Sequence, residues 1–363
     1  MGHARKEQIT IFPTNSCNMR CVYCAANSAA YQDSPEKISI AFAKRGISDY
    51  FSDGQKHQIR YYSSGEPTEA MDVIAETWTY AHSLVGNRLV SEMQTNCCFD
   101  QNALDWIGEH ISIVWASIDG WSEVQNKNRP LRDGLPSSDI ALKNALQLRE
   151  KTFVGIRITI VPETVDKQIE LIEYFYDLGF RHISSEPVFL PVRNNGKTVD
   201  GPITRVDLKA YIKNYVDAWF AAQKMGVSYI NSFMVNLDER VEYACRSCLP
   251  TPHLTTDGFV SCCDLGFYGE TPLVDLIYGQ YNPQEDRIIY FPEKIKKLRT
   301  RKCENMKSCS KCFAKENCGG GCLGRAYHET RDFYGVISEY CWATRYLALK
   351  LPVNNLAIPY LHP

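Results

Sequence analysis

The fifteen cysteines of this 363-residue chain are the feature that most narrows its folds. Cys17, Cys21 and Cys24 stand together near the start, Cys97 and Cys98 adjoin, and the other ten fall between Cys245 and Cys341. The total is odd, and Met1 to Thr10 is polar and charged, without the apolar core of an export signal. The expected address is therefore the cytoplasm, where thiols stay reduced and a disulfide framework is a poor account. Clustered thiols in that setting point to metal. Packing as small hydrophobes serves for Cys97 and Cys98, but not for ten thiols crowded into the last third.

Bulk properties exclude other classes. Net charge is -2, which gives no field favouring nucleic acid or anionic lipid. No apolar run reaches the roughly 18 residues of a membrane span. Hydrophobic content of 44% and charged content of 23% are those of an ordinary globular protein.

Strand-like and helix-like segments alternate through the first part. Gln8–Phe12, Gln58–Tyr62, Arg88–Gln94, Ser112–Ile118, Val154–Val161 and His182–Val188 read as strands. Helical periodicity covers Ile38–Phe51, Ala70–Leu84, Asn102–Gly108, Ser138–Lys151, Lys167–Leu178 and Leu208–Met225. Such βαβ units predict an α/β fold with a parallel sheet, a partial (β/α)6 TIM-like barrel with its site at the C-terminal strand ends. After Asn231 the alternation gives way to cysteine, glycine and polar loops, a segment expected to be held by metal rather than by a core of its own. The expected division is 1–230 barrel, 231–346 cluster region and 347–363 C-terminal tail, irregular from Leu351.

Cys17, Cys21 and Cys24 have spacing C-x3-C-x2-C in the loop after the first strand. Closed structural sites take four ligands, and three thiolates on a four-iron cluster leave one iron open. With Tyr23 before the third cysteine, the motif resembles the signature of the radical S-adenosylmethionine (SAM) superfamily. The resemblance implies that the open iron is chelated by SAM, whose reductive cleavage gives a 5′-deoxyadenosyl radical that takes hydrogen from a substrate. Ser64, Gly65, Glu66 and Pro67, after the second strand, resemble the family's GGEP motif, with serine in place of its first glycine. Thr95 and Asn96, and Ser117 and Asp119, end the third and fourth strands and resemble positions lining the SAM pocket. Asn128, Arg129 and Pro130 match an Asn-Arg-Pro of the family, and an arginine there suits a carboxylate.

The later cysteines carry a second resemblance. Cys248, Gly258 and Cys263, followed by Cys309, Cys312, Cys318, Cys322 and Cys341, follow the order and spacing of the SPASM extension of peptide- and protein-maturing radical SAM enzymes. This implies a small loop-rich Fe-S cluster domain with two auxiliary 4Fe-4S clusters, three in all with the SAM cluster. Cys248, Cys263 and Cys322 would hold the first with an upstream ligand, Cys245, although Cys262 adjoins Cys263. Cys309, Cys312, Cys318 and Cys341 would hold the second, leaving Cys97, Cys98, Cys262 and Cys303 over. Spacing alone does not separate iron-sulfur from zinc, since thiolates suit both.

Three reactions fit the resemblance. The first is modification of a ribosomally made peptide, by cross-linking or side-chain oxidation. The second is sulfatase-type formylglycine maturation, in which Asp264, after Cys263, would be the base. The third is a small-molecule dehydrogenase or epimerase, with Cys97 or Cys98 as hydrogen donor. Implied partners are a peptide or protein substrate and a flavodoxin- or ferredoxin-type electron donor. The barrel begins near Gln8, so leader recognition is expected from a separate protein or from the barrel itself.

Overall fold

The structure, a computed structural model, describes residues 8–26, 35–62, 64–190, 203–234, 236–269 and 273–352. The barrel part runs β1 (Ile9–Ile11), α1 (Ile40–Phe51), β2 (Gln58–Tyr61), α2 (Met71–Val85), β3 (Val90–Thr95), α3 (Gln101–His110), β4 (Ile113–Ser117), α4 (Ser122–Asn128), α5 (Ser138–Arg149), β5 (Phe153–Ile160), α6 (Gln168–Asp177), β6 (His182–Pro187), α7 (Leu208–Met225) and β7 (Ser228–Ile230). The remainder adds β8 (His253–Leu254), β9 (Phe259–Ser261), β10 (Ile277–Asn282), β11 (Arg287–Tyr290), α8 (Pro292–Arg299), α9 (Lys315–Cys318), α10 (Leu323–Thr330) and α11 (Ser338–Lys350).

Local chemistry sets the helix ends. Ser39 accepts from the Phe42 amide at the start of α1, and Asp100 from that of Ala103 at the start of α3. Asp207 caps α7, which stops at Gly226 in a left-handed conformation, φ +69°. Strands β1 to β7 pair in parallel in chain order, each with the next. Inside, Trp115 of β4 faces Gly155 of β5 in register, and a Cβ on Gly155 would collide with the indole. The glycine thus makes room for a large buried ring beside the sheet.

All six expected strands and the helices between them are present. Three features differ from expectation. A seventh strand, β7, closes the parallel run, and its three residues are too few to show a period. The cysteine-rich region also continues the sheet. β8 pairs in parallel with β1, and β9, β10 and β11 follow antiparallel, giving the order β11-β10-β9-β8-β1-β2-β3-β4-β5-β6-β7. Leu254, Val260, Leu276, Leu323 and Leu347 of this region join the same apolar core as the barrel. β8 and β9 are two and three residues long, and the β9–β10 register shifts between Ile277 and Gly279, which hides the alternation. Leu347 to Lys350, expected as tail, extend α11, with Leu347 buried one turn beyond Ala343. Residues 353–363 lie outside the described residues. No described helix is long and apolar enough to cross a membrane.

Candidate active site

The loop that leaves β1 carries Cys17, Cys21 and Cys24, each partly exposed. A second segment braces it. Arg20 and Val22 donate main-chain hydrogen bonds to Pro130 and Asn128, and Met19 bridges to Leu131. Arg132 donates to the Cys17 carbonyl from Nη2 at 2.7 Å and from Nε at 3.2 Å. Sequence reasoning reached Asn128, Arg129 and Pro130 but missed Arg132. Burial pushes the Cys17 thiol well up, with Cys21 and Glu66 adding to it. Burial pushes Cys21 up to about 11 against the lowering field of Arg129. A metal that takes these sulfurs as thiolates therefore displaces protons.

The loop after β2 lies directly on this one. Glu66 N donates to Ser16 O at 2.7 Å, and a Cβ on Gly65 would strike the Asn15–Ser16 backbone. Ser64 is fully buried and reaches Thr14 O at 3.4 Å. The Glu66 carboxylate is buried and held on both oxygens. Oε1 accepts from Thr95 Oγ1 at 2.6 Å, Thr68 Oγ1 at 3.0 Å and Thr68 N at 3.2 Å, and Oε2 accepts from Asn96 N at 2.8 Å. Burial raises its pKa, and these donors oppose the shift. Pro67 opens the short turn of helix behind it and does not line the cavity.

Tyr23 stands between an acid and a base. Its hydroxyl donates to Asp119 Oδ2 and accepts from Arg129 Nη1 at 3.0 Å, while Thr159 N donates to Asp119 Oδ1 at 3.0 Å. Asp119 thus sits behind Tyr23 and off the cavity wall, whereas Ser64, Gly65, Glu66, Thr95, Asn96, Ser117 and Arg129 line it. Arg129 Nε and Gln94 Oε1 are buried without a hydrogen-bond partner among the described residues. A donor and an acceptor left open in one wall suit a ligand carrying both an anionic and an N–H or O–H group.

The same cavity reaches the cysteine-rich region, where Cys245, Cys263, Cys318, Cys322 and Cys341 also line it. Cys263 lies within electrostatic reach of Cys322 and Cys245, and Cys248 of Cys245 and Cys322. Cys309, Cys312, Cys318 and Cys341 are related in the same way to one another. Cys262 is also within electrostatic reach of Cys263, Cys248 and Cys245, but it is fully buried and off the cavity wall. Cys97 and Cys98 are buried behind the Glu66 loop and do not line the cavity. Among the described residues no group of three or more His, Cys, Asp or Glu closes on the position of a single metal ion.

Asp264, beside Cys263, lines the cavity and is clamped from below. Arg60 Nη1 donates to both its oxygens at 3.0 Å, and His253 Nε2 stands 3.1 Å from Oδ1. Burial alone would raise its carboxyl, but Arg60 and the bond to His253 hold it well below the ordinary carboxylate range. A second ion pair, Arg325 with Glu186 at 3.0 Å, ties α10 to the end of β6, and Ser232 donates to Glu186 from N at 2.6 Å and Oγ at 2.8 Å. Arg60, His253, Glu186 and Arg325 were not among the expected site residues. The signal open to a reader was a charged residue inside an apolar strand, such as Arg60 between Ile59 and Tyr61.

No family model matches the chain. An uncharacterized protein of Methanocaldococcus jannaschii is 28% identical over 174 residues, 47% of this chain and 59% of that protein, so the match spans less than two thirds of this curated relative. Among solved structures, anSMEcpe, an anaerobic sulfatase-maturating enzyme with bound AdoMet, superposes with a TM-score of 0.74 at 18% identity, over 93% of this chain and 91% of that one. The same enzyme with AdoMet and the Cp18Cys peptide gives 0.72 at 19% identity, over 93% and 94%. SuiB of Streptococcus suis bound to its precursor peptide SuiA gives 0.65 at 15% identity, over 93% and 76%. At these identities the likeness is one of fold: the chain shares, over 93% of its length, the fold of anSMEcpe and of SuiB.

Proposed function

We propose that the chain is a radical SAM enzyme with two auxiliary clusters that abstracts hydrogen from a residue of a ribosomally made peptide, leaving a cross-link or an oxidised side chain. The observation that carries this reading is a single cavity lined both by Cys17, Cys21, Cys24 and Glu66 of the barrel loops and by Cys245, Cys263, Cys318, Cys322 and Cys341 of the cysteine-rich region. The donor set fits the groups: three thiols on one loop match a four-iron cluster with an open iron, and eight more fall into two sets of four. When bound, SAM on the reduced cluster supplies the 5′-deoxyadenosyl radical.

The chain's own residues do the positioning. Glu66, fixed by Thr95, Thr68 and Asn96, presents its carboxylate toward an ammonium. Arg129, anchored through Tyr23 and Asp119, keeps Nε open for a carboxylate. In the first auxiliary set Cys245 is favoured over Cys262 as the fourth ligand, because it shares the cavity wall with Cys263. A peptide substrate is supported by the fold shared with two proteins solved with peptides. A small reduced flavodoxin or ferredoxin is the electron donor of this reading.

Formylglycine maturation is the second reading, favoured by Asp264 on the cavity wall beside Cys263. The clamp by Arg60 and His253 counts against it, since a carboxylate held far below its ordinary range is a weak base at neutral pH. The test is iron and sulfide content after anaerobic reconstitution, with an assay for 5′-deoxyadenosine under reductant. About twelve irons per chain with deoxyadenosine formed is the expected result. Zinc in their place, with SAM intact, would leave a metal-stapled binding protein instead.

A further inference from the structure

Arg301 places a positive charge deep in the cysteine-rich region. It follows α8 and is 0% exposed. Its N–H groups are directed at main-chain carbonyls: Nε donates to Phe333 O at 2.9 Å, Nη1 to Gly321 O at 2.9 Å, and Nη2 to Gly320 O at 3.3 Å and Gly335 O at 3.1 Å. Among the described residues it forms no ion pair with a carboxylate. Carbonyl dipoles solvate a guanidinium without neutralising it, and a buried cation without a counter-charge is costly. The surroundings therefore call for anions that are not acidic side chains.

The carbonyls it holds say where those anions belong. Gly320 and Gly321 lie in the run joining Cys318, of one set of four cysteines, to Cys322, of the other. Phe333 and Gly335 lead into α11, which carries Cys341. Gly319, Gly320 and Gly321 all have positive φ, +64°, +91° and +72°, so the run folds back on itself beneath the guanidinium. Cys248 and Cys322 of one set, and Cys309 and Cys341 of the other, all lie within electrostatic reach of the guanidinium. One cation is thus shared by both sets.

We propose that Arg301 is a positioning residue common to the two auxiliary clusters, a buried cation fixed by four carbonyls between the two cysteine sets that raises the reduction potential of both. The proposal rests on the iron-sulfur reading of those eight cysteines. A four-iron cluster on four thiolates is an anion and becomes more so when it takes an electron. A fixed positive charge in a low-dielectric interior therefore stabilises the reduced form more than the oxidised one.

The test uses the full chain, reconstituted anaerobically, with redox titrations followed by electron paramagnetic resonance. Arg301→Gln keeps hydrogen-bonding capacity and removes the charge, and Arg301→Lys keeps the charge without the fork. In Arg301→Gln the one-electron reduction constants of both auxiliary clusters should fall at least tenfold, about 59 mV each, with the SAM cluster unmoved. Arg301→Lys should lie closer to wild type. If Arg301→Gln loses its auxiliary iron while Arg301→Lys keeps it, the charge requirement stands. Unchanged potentials in Arg301→Gln, equal shifts in both variants, or loss of iron from both would make Arg301 a structural clamp and overturn the proposal. Zinc or no cluster in the wild-type protein would instead overturn the iron-sulfur reading on which it rests.

Discussion

Arg60 and Asp264 are 204 positions apart in sequence, yet one guanidinium nitrogen of Arg60 lies 3.0 Å from both oxygens of Asp264. The pair joins the middle of β2 to the residue after Cys263, and Arg60 also meets Glu92 of β3 at 3.3 Å. The barrel and the cysteine-rich wall are thereby held together by buried charge.

Asp264→Asn should lower stability by about 3 kcal/mol, because Arg60 is left with a buried charge short of its main partner. The folded carboxyl is depressed, so its contribution is complete above the unfolded value of about 3.9 and is lost as pH falls from there toward the folded value. Urea melts of wild type and variant should differ most at neutral pH, and the gap should begin to narrow only below about pH 4, where the unfolded carboxyl takes up its proton. In the peptide-modifying reading the variant still forms deoxyadenosine, and product measured alongside decides between the two readings: product lost with cleavage spared marks Asp264 as the base.

Replacing Cys17, Cys21 and Cys24 together with alanine should abolish deoxyadenosine formation and leave about eight of about twelve irons. Iron analysis and a cleavage assay on one preparation suffice. Deoxyadenosine still formed would move the cleavage site elsewhere.

Gly65→Ala places a methyl against the Asn15–Ser16 backbone. The loop with the three cysteines must shift, at a cost of about 1–3 kcal/mol. SAM affinity, read by equilibrium dialysis on reconstituted protein, should fall at least tenfold. Wild-type affinity would show that the two loops separate freely.

Cys98→Ala should keep product formation within a few-fold and cost about 1 kcal/mol, since the thiol is buried and off the cavity wall. Loss of product with cleavage intact would instead identify a hydrogen donor and revive the epimerase reading.

Much of this was open to sequence reasoning, for physical reasons. Strands such as Val90–Thr95 and Phe153–Ile160 are long enough to display a period, and cysteine spacing is a local property. The pairing of β8 with β1 was not legible, because two residues carry no period and their partner lies far away in the chain. The clamp on Asp264 was hidden likewise: Arg60, His253 and Asp264 come from three separate segments, and only folding shows that the acid is spoken for. Asp119 looked like a pocket residue because it ends a strand beside Ser117, and the structure turns it to hold Tyr23 instead.

The pairing of Thr10 with His253 also bears on biosynthesis. A ribosome delivers β1 early and β8 more than two hundred residues later. Until then, one edge of the strand that launches the three-cysteine loop has no sheet neighbour. Completion of that edge waits on late chain, as expected for a topology rich in distant contacts. In the iron-sulfur reading, iron offered to a chain not yet extended through β8 would meet a half-built cradle, so filling of the three-cysteine loop waits on a segment made much later.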